Sequence, residues 1–361
     1  MEVLSPRIRA MSRLASEDPD TFWGSAAEQL HWFRGWDSVF DWNGARPDER
    51  GRYFRWYSGA TTNLSWNCVD RHVERGWGGH AALVCENERG DRSVLTYAHL
   101  QHEVRRCAAA LRGLGVGLGD RVAIYIPTCA EAIVLMLACA RVGAPHLVVF
   151  AGFGAGALAD RVRLAGAKAL FCADVTWRKG REVALKGIAD EALAGAGGPA
   201  HRVVVLRRGQ DAPMTAGRDI SWSEFLSLAE GQDGAHVELE SNEPAYILAT
   251  SGTTAKPKLA VHARGPYQVH IDAMGKWVFG AGRARRLVVD LGHRLGGRPQ
   301  LHRLCAAAGG LHHHRLRGSR GLPRTGDLLP NRRREPGHGH LHVADRGAAA
   351  HEVRRRAGRP I

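Results

Sequence analysis

The residue types best suited to anion binding are concentrated between residues 250 and 258. The four residues before them, 246–249, have the aromatic and branched side chains of a buried strand. Small side chains then let backbone N–H groups approach an anion, while hydroxyls and lysines can bond to and neutralise its oxygens. The pattern predicts a strand that leads into a phosphate-binding loop. The candidate ligands in that loop are Thr250, Ser251, Gly252, Thr253, Thr254, Lys256 and Lys258.

The spacing of this loop differs from that of the P-loop, in which a glycine-rich run ends in Gly-Lys-Ser or Gly-Lys-Thr. If this loop binds a nucleotide, it does so with an architecture different from the P-loop. The alternative interpretation is a polar turn without a binding function. The run from Thr250 to Lys258 resembles the signature loop of AMP-forming acyl-CoA synthetases, which reads Thr-Ser-Gly-Thr-Thr-Gly-x-Pro-Lys. Ala255 stands where that family usually has glycine. The resemblance implies that the loop binds the phosphates of ATP, which is used together with Mg²⁺.

A second cationic group lies between residues 178 and 181. In the synthetase family an Arg-x-Gly-Lys/Arg segment at this place contacts the nucleotide end of coenzyme A, whose phosphates suit fork-shaped guanidinium donors. From the residues alone, a solvated basic turn is the alternative. The resemblance implies coenzyme A contacts by Arg178, Lys179, Gly180 and Arg181.

The N-terminal 80 residues are rich in Trp and Arg, and residues 22–42 place aromatic side chains at helical and then irregular spacing. That spacing predicts an amphipathic segment packed on a larger domain. The string Asn-Cys-Val-Asp-Arg-His at residues 67–72 resembles the N-terminal extension of acetyl-CoA and propionyl-CoA synthetases. The extension is therefore assigned to residues 1–80, and a partial AMP-binding domain to residues 81–280.

From residue 83 onward, predicted strands and helices alternate. Strands are expected at 121–126, 146–150, 169–172 and 202–206, with helices near 97–111, 131–141 and 157–165. This alternation predicts an α/β fold in which parallel sheets are flanked by helices. The glycine-rich run at 152–157 lacks the spacing of a dinucleotide-binding fingerprint and is interpreted as a turn.

Almost all of the positive charge belongs to residues 281–361. This segment has eighteen Arg, no Lys and five Asp or Glu, a net charge of +13 in a chain whose total is +14. It contains no Phe, Tyr, Trp or Met, so it has little apolar surface to offset the entropy lost on ordering. We therefore expect a disordered Arg/His/Gly-rich tail. No specific nucleic-acid partner is expected.

A shift of reading frame explains the composition of this tail. Residues 287–293 can be encoded so that reading from the second nucleotide gives Trp-Trp-Ser-Thr-Ser-Asp, which resembles the next segment of the synthetase family. The same offset turns the neighbourhood of residues 310–316 into Gly-Cys-Thr-Thr-Ile-Ala-Tyr. It also gives Phe-Thr-Ser-Pro-Thr-Ala-Val-Arg within residues 335–355. Three matches in one frame and in family order predict that the frame breaks near Gly280 to Arg283.

Two other interpretations of the tail remain. Its clustered histidines could bind Zn²⁺ or Ni²⁺, and its arginines could bind nucleic acid. Neither interpretation accounts for the family-like sequence in the offset frame. The histidines concerned are His312, His313, His314, His338, His340 and His342.

The resemblance, which covers about residues 20–280, implies an acid:thiol ligase that uses ATP, a short-chain carboxylate and coenzyme A. Acetate and propionate both remain open, because the residues that shape the acyl pocket in the family lie beyond Gly280. The adenine and ribose contacts, the hinge and the C-terminal domain with its catalytic lysine also lie beyond it, so no catalytic residue and no resident metal is assigned. A non-enzymatic fragment, or a basic protein that binds through its tail, is the alternative of another class.

The compartment is inferred from what the sequence lacks. No apolar run is long enough to cross a bilayer, and the first residues do not resemble an export signal. Seven cysteines are scattered without pairing or metal-ligand spacing, and several lie in apolar segments. We therefore expect a cytoplasmic protein without a membrane partner. The sequence predicts no oligomeric state.

Overall fold

The computed structural model describes residues 5–42, 54–86, 92–178, 180–194, 202–209, 211–250 and 257–278, together with the backbone of two strands at 286–290 and 313–317. Its helices are α1 (Pro6–Glu17), α2 (Pro19–Ala27), α3 (Tyr97–Gly113), α4 (Ala130–Val142), α5 (Ala155–Ala165), α6 (Leu185–Ala194), α7 (Trp222–Ser227) and α8 (Arg264–Trp277). Two π-helical turns, Trp66–Asp70 and Val73–Trp77, precede α3.

Seventeen strands are present among the described residues. They are β1 (Ser38–Asp41), β2 (Arg55–Ser58), β3 (Thr61–Thr62), β4 (Ala81–Glu86), β5 (Arg92–Thr96), β6 (Val122–Tyr125), β7 (His146–Val148), β8 (Ala169–Ala173), β9 (Val175–Arg178), β10 (Arg181–Ala184), β11 (Arg202–Leu206), β12 (Asp219–Ser221), β13 (Leu239–Glu240), β14 (Pro244–Thr250), β15 (Lys258–Ala263), β16 (Arg286–Asp290) and β17 (His313–Arg317).

The main sheet has seven strands in the order β12-β11-β8-β6-β7-β14-β15. All neighbouring strands are parallel except β14 and β15, which form an antiparallel pair. Strand β6 lies at the centre, and α4 connects it to β7 on one side. The chain then returns through α5 to β8 on the other side. This arrangement confirms the predicted α/β fold with a helix-flanked parallel sheet.

Helix α4 is buried on all sides, as its sequence predicts. Eleven of its thirteen residues are buried, from Ala132 to Val142. It ends at Gly143, which has a φ of +81°, a conformation that glycine adopts without steric cost. Strand β8 is likewise buried at every position. Continuous apolar runs of this kind are typical of strands and helices covered on both faces.

Polar side chains of the N-terminal extension and of α8 bind the end of α4 in this core. The amide nitrogen of Asn63 donates to the carbonyls of Ala140 and Arg141 at 3.2 and 3.1 Å, and to that of Val237 at 2.8 Å. The guanidinium of Arg264 donates to the carbonyl of Gly143 at 3.2 Å. The carbonyl groups at the end of α4, which lack helical partners, are therefore satisfied by side chains from distant segments.

An ion pair joins the motif at residues 67–72 to α4. The Nη1 of Arg141 lies 2.7 Å from one carboxylate oxygen of Asp70, and its Nη2 lies 3.2 Å from the other. The two side chains are 2% and 6% exposed. The side-chain amide of Gln101 donates to Asp70 at 3.0 Å, and the Nε of Arg141 donates to the carbonyl of Gly234 at 2.7 Å. Asp70 is thus bound on several sides and fixes the extension to the end of α4.

Aromatic residues of the extension form a second, smaller core around Tyr57, which is 1% exposed. Trp23, Trp32 and Trp36 surround it, and Trp277 at the end of α8 packs against Trp23 with ring centroids 6.0 Å apart. The predicted packing of this segment on a larger domain is therefore observed.

Two strands lie within the segment that was expected to be disordered. Strand β17 pairs in parallel with β4, and β16 pairs in parallel with β17. The open side of β4 offers unpaired backbone N–H and C=O groups, and these bind a further strand readily. At these ten residues the structure departs from the expected disordered tail. The rest of residues 281–361, with the histidines proposed for metal binding, lies outside the described residues.

No helix in the described part of the chain is both long enough and apolar enough to cross a membrane.

His146, the first residue of β7, is fully buried between Tyr246 and the strands on either side. In the described structure neither ring nitrogen has a hydrogen-bond partner. Burial, reinforced by the positive charge of Arg264, lowers the pKa of His146 to about 3. The imidazole is therefore neutral in the folded protein near neutral pH.

This burial predicts that the protein loses stability as the pH falls. The folded pKa is depressed and an unfolded histidine has a pKa near 6.5, so the unfolded state binds more protons between about pH 6.5 and 3. At pH 5 this difference costs about 2 kcal/mol relative to pH 7. Urea unfolding of the wild type and of His146→Leu at pH 7 and pH 5 measures this difference in unfolding free energy. A variant that loses as much stability as the wild type would show that His146 is not the cause.

Candidate functional site

The two predicted ligand-binding segments meet the main sheet at one edge. Strands β6, β7, β8, β11 and β14 run in parallel, so their carboxyl ends lie at the same side, here called the carboxyl edge. After β6, the chain first adds β7 on one side of β6 and then adds β8 on its other side. In open α/β sheets such a point of reversal is where ligands bind.

The predicted phosphate loop begins at the carboxyl end of β14. Thr250 and Lys258 are opposite each other in the antiparallel pair of β14 and β15, and the hydroxyl of Thr250 donates to the carbonyl of Lys258 at 3.3 Å. The structure therefore confirms the strand that leads into the loop. The pairing of Thr250 with Lys258 joins the two ends of the loop. Five of the predicted ligands in this loop lie outside the described residues, namely Ser251, Gly252, Thr253, Thr254 and Lys256.

The predicted coenzyme A segment is the turn of a hairpin at the end of β8. Strands β9 and β10 pair so that Arg178 lies opposite Arg181, and Gly180 between them has a φ of +76°. Lys179 lies outside the described residues. Like charges directly opposite each other destabilise a strand pair unless an anion compensates them. The hairpin therefore concentrates positive charge where an anionic ligand would stabilise it.

Arg178 is held in place by the turn that follows β7. Its guanidinium lies 5.3 Å from the ring centroid of Phe150, and its Nη1 donates to the carbonyl of Gly152 at 3.4 Å. A Cβ at Gly152 would collide with both Arg178 and Phe150. A larger residue here would displace the guanidinium or the ring, so the glycine-rich run interpreted as a turn from the sequence also leaves room for Arg178.

Two arginines that the sequence did not single out lie on the same surface. The guanidinium of Arg208, just after β11, is 5.7 Å from the ring centroid of Trp177, and that of Arg161 is 4.3 Å from the ring of Phe153. Stacking on an aromatic ring restricts the positions that a guanidinium can take. Arg208 follows β11, and Arg161 lies in the helix that follows β7. The sequence could have indicated that both lie near the predicted coenzyme A segment only if the order of the strands had been known.

Asp174 connects these two parts of the surface. Its buried carboxylate accepts hydrogen bonds from the backbone N–H groups of Val175, Arg208 and Gly209, at 2.6, 2.8 and 2.9 Å. The first of these begins the hairpin and the other two form the turn after β11. One carboxylate therefore fixes the exits of two strands relative to each other.

The carboxyl edge is also partly apolar. The hydroxyl of Tyr125, at the end of β6, donates to the carbonyl of Phe153 at 2.6 Å. Burial raises the pKa of Tyr125 to about 12, so the phenol stays protonated and remains a donor. Within the described ranges, no three His, Cys, Asp or Glu side chains are placed to hold a metal ion.

Comparison with known proteins gives two matches to protein-family models. The model of AMP-binding enzymes matches residues 69–298, and the model of the acetyl-coenzyme A synthetase N-terminus matches residues 8–68. The first match reaches past Gly280, where the resemblance read from the sequence motifs ends.

Curated relatives agree with these matches. Acetyl-coenzyme A synthetase of Chlorobaculum tepidum is 40% identical over 265 residues, 73% of this chain and 39% of the relative. The enzyme of the same name from Rubrobacter xylanophilus is 43% identical over 266 residues, 73% and 40% of the two chains. The 3-hydroxypropionyl-coenzyme A synthetase of Sulfurisphaera tokodaii is 44% identical over 268 residues, 73% and 39%. This chain therefore spans about two fifths of the length of these relatives.

A solved structure supports the fold. The acetoacetyl-CoA synthetase from Streptomyces lividans superposes with a TM-score of 0.74 and 24% identity, covering 87% of this chain and 47% of that protein. At this identity the likeness concerns the fold alone.

Proposed function

This chain belongs to the family of AMP-binding enzymes, and from that premise we propose that it carries the nucleotide-phosphate and coenzyme A surfaces of a short-chain acyl-CoA synthetase. The reaction assigned to the complete enzyme joins a carboxylate to coenzyme A and converts ATP to AMP and diphosphate. Acetate is the proposed acid, because relatives named acetyl-coenzyme A synthetase match the chain. Propionate and 3-hydroxypropionate are the alternatives, the latter from the name of another relative.

The observation that carries this proposal is the common position of the two cationic segments. The loop between β14 and β15 and the hairpin of β9 and β10 both leave the carboxyl edge, on either side of the central strand β6. A ligase that uses two phosphate-bearing substrates needs two such surfaces facing one reaction centre. A single basic turn on an arbitrary surface would not supply them.

The chemistry requires little covalent participation by the protein at the loop. The carboxylate attacks the α-phosphorus of ATP to give an acyl-adenylate and diphosphate, and the coenzyme A thiol then displaces AMP. Holding the phosphates and neutralising their charge is the main task in such a step. We assign that task to Thr250, Lys256, Lys258 and the residues between them. Mg²⁺ would be bound together with the ATP phosphates and would neutralise part of their charge.

We assign the nucleotide end of coenzyme A to the hairpin. Arg178 is positioned by Phe150 and Gly152, whereas Arg181, opposite it in the strand pair, is exposed. A guanidinium that contacts a phosphate through charged hydrogen bonds contributes more than a neutral pair does. The adenine would gain apolar contact from the rings next to Arg178.

Arg181→Ser is therefore expected to weaken coenzyme A binding about tenfold, the loss of one charged hydrogen bond of about 1.5 kcal/mol. Isothermal titration calorimetry of coenzyme A with the purified chain measures it. The matched control is Arg202→Ser, another exposed arginine, at the amino end of β11. If both variants bind as the wild type does, or if no form of the chain binds coenzyme A, this assignment is wrong.

Two further assignments concern the domain boundaries and the location of the protein. We propose a boundary between the extension and the AMP-binding part near residue 80 and a second one near residue 280. We also propose a cytoplasmic location, because the six cysteines of the described ranges are all free and a reducing compartment keeps them so.

A further inference from the structure

The two edges of the main sheet differ in how well they are protected against pairing with another strand. At one edge lies β12, which has only three residues. Its Asp219 points inward and is bound by Lys186 at 2.9 Å and by Arg218 at 2.6 Å. Short length and inward charge are two of the devices by which natural sheets prevent edge-to-edge association.

The other edge, β15, is longer, and its one charged residue, the exposed Lys258, stands at its first position. It extends over six residues, and its register with β14 is regular from Tyr246 and His262 to Thr250 and Lys258, without a bulge. From residue 259 to 263 it reads Leu-Ala-Val-His-Ala, with no proline and no charged side chain. In the part of the chain that the structure describes, no strand pairs with its far side.

The side chains of β15 are apolar where a partner would meet them. Val261 is 60% exposed, although it lies on the same strand face as Leu259, which packs against the main core. On the opposite face, His262 stacks on Tyr246 with ring centroids 4.4 Å apart. Burial lowers the pKa of His262, so this residue brings no charge to the edge at neutral pH.

We propose that β15 is an interaction surface for a second copy of this chain, and that two β15 strands pair antiparallel around a twofold axis through Val261. In this register Val261 faces its own copy, Leu259 faces Ala263, and Ala260 faces His262. Every cross-strand pair is therefore uncharged, and the alternation of faces is preserved in both strands. Lys258 lies outside this five-residue ladder.

The self-complementary sequence favours a second copy over a different partner. An antiparallel pair of identical strands requires that no charged residue face itself or a like charge, and residues 259–263 meet this condition. The interface is small, because it adds one strand pair to each sheet. We expect a reversible dimer with a dissociation constant of about 10 µM rather than a permanent one.

Sedimentation velocity of the full chain between about 1 and 100 µM tests this proposal. The wild type is expected to pass from monomer to dimer over this range. Val261→Lys places two ammonium groups opposite each other and is expected to raise the dissociation constant about tenfold or more. The control, Leu164→Lys, changes another exposed aliphatic residue, on α5, which is 43% exposed. It is expected to dimerise as the wild type does.

Val261→Cys tests the register independently. Under mild oxidation it is expected to form a covalent dimer, whereas Leu164→Cys is expected to remain monomeric on a non-reducing gel. A wild type that is monomeric at every concentration would overturn the proposal, because another segment of the chain or nothing would then occupy β15. A dimer that survives in Val261→Lys, or one that is also lost in Leu164→Lys, would overturn it equally.

Discussion

The 361-residue chain is expected to release no diphosphate from ATP in response to acetate or propionate, while a protein with its reading frame restored is expected to do so. The chain spans about two fifths of its relatives' length. The acyl pocket, the adenine contacts and the lysine of the C-terminal domain belong, by resemblance, to the part beyond Gly280. Positioning of reactants contributes about 7–11 kcal/mol to such reactions, and most of it is lost if residues 281–361 do not encode these parts in frame.

A coupled assay of diphosphate release measures this difference, with each acid supplied separately to both proteins. The frame-restored protein serves as its own control through Lys258→Ala, which removes one cation of the phosphate loop and is expected to slow release by about tenfold or more. Turnover by the unrestored chain near that of the restored protein would show that residues 281–361 complete the site. Absence of turnover in the restored protein would instead remove the proposed ligase reaction.

Asp70→Asn is expected to cost about 3–5 kcal/mol of unfolding free energy, the largest effect we expect from a single substitution. Arg141 would keep its charge in a site where its side chain is 2% exposed, and it would lose the carboxylate that neutralises it. The extension would also lose its ion pair with the end of α4. The double variant Asp70→Leu with Arg141→Met removes both charges and is expected to recover much of the loss.

Urea unfolding followed by tryptophan fluorescence measures these changes, since Trp66 lies in the same helical segment as Asp70. The matched control is Asp160→Asn. Asp160 pairs with Arg163 at 3.2 Å, but both side chains are at least half exposed, so the expected loss is below about 1 kcal/mol. Equal effects at Asp70 and Asp160 would contradict the structural role given to the buried pair.

Local patterns in the sequence predicted the local elements well. The helix expected at 131–141 is α4, Ala130–Val142, because an all-round apolar run of that length has few alternatives. The strand expected before the phosphate loop is β14, Pro244–Thr250. Strand β15 was missed, since its antiparallel pairing depends on a loop whose length and composition do not specify a hairpin.

Contacts between distant segments could not be predicted in the same way. The motif at residues 67–72 was identified only by resemblance, and its role became clear when Asp70 was found bound to Arg141, 71 residues further along the chain. Likewise, Arg208 reaches the surface of Arg178 because β11 is a neighbour of β8, and strand order is set by packing rather than by local sequence.

The nucleotide sequence across codons 275 to 290 tests most directly whether this chain is an interrupted short-chain synthetase. An interrupted gene predicts an open frame, offset by one nucleotide, that begins near the codons of Gly280 to Arg283 and encodes Trp-Trp-Ser-Thr-Ser-Asp opposite residues 287–293. If no such frame exists, or if the offset frame meets a stop codon within these positions, residues 281–361 are the intended product and the interruption is refuted.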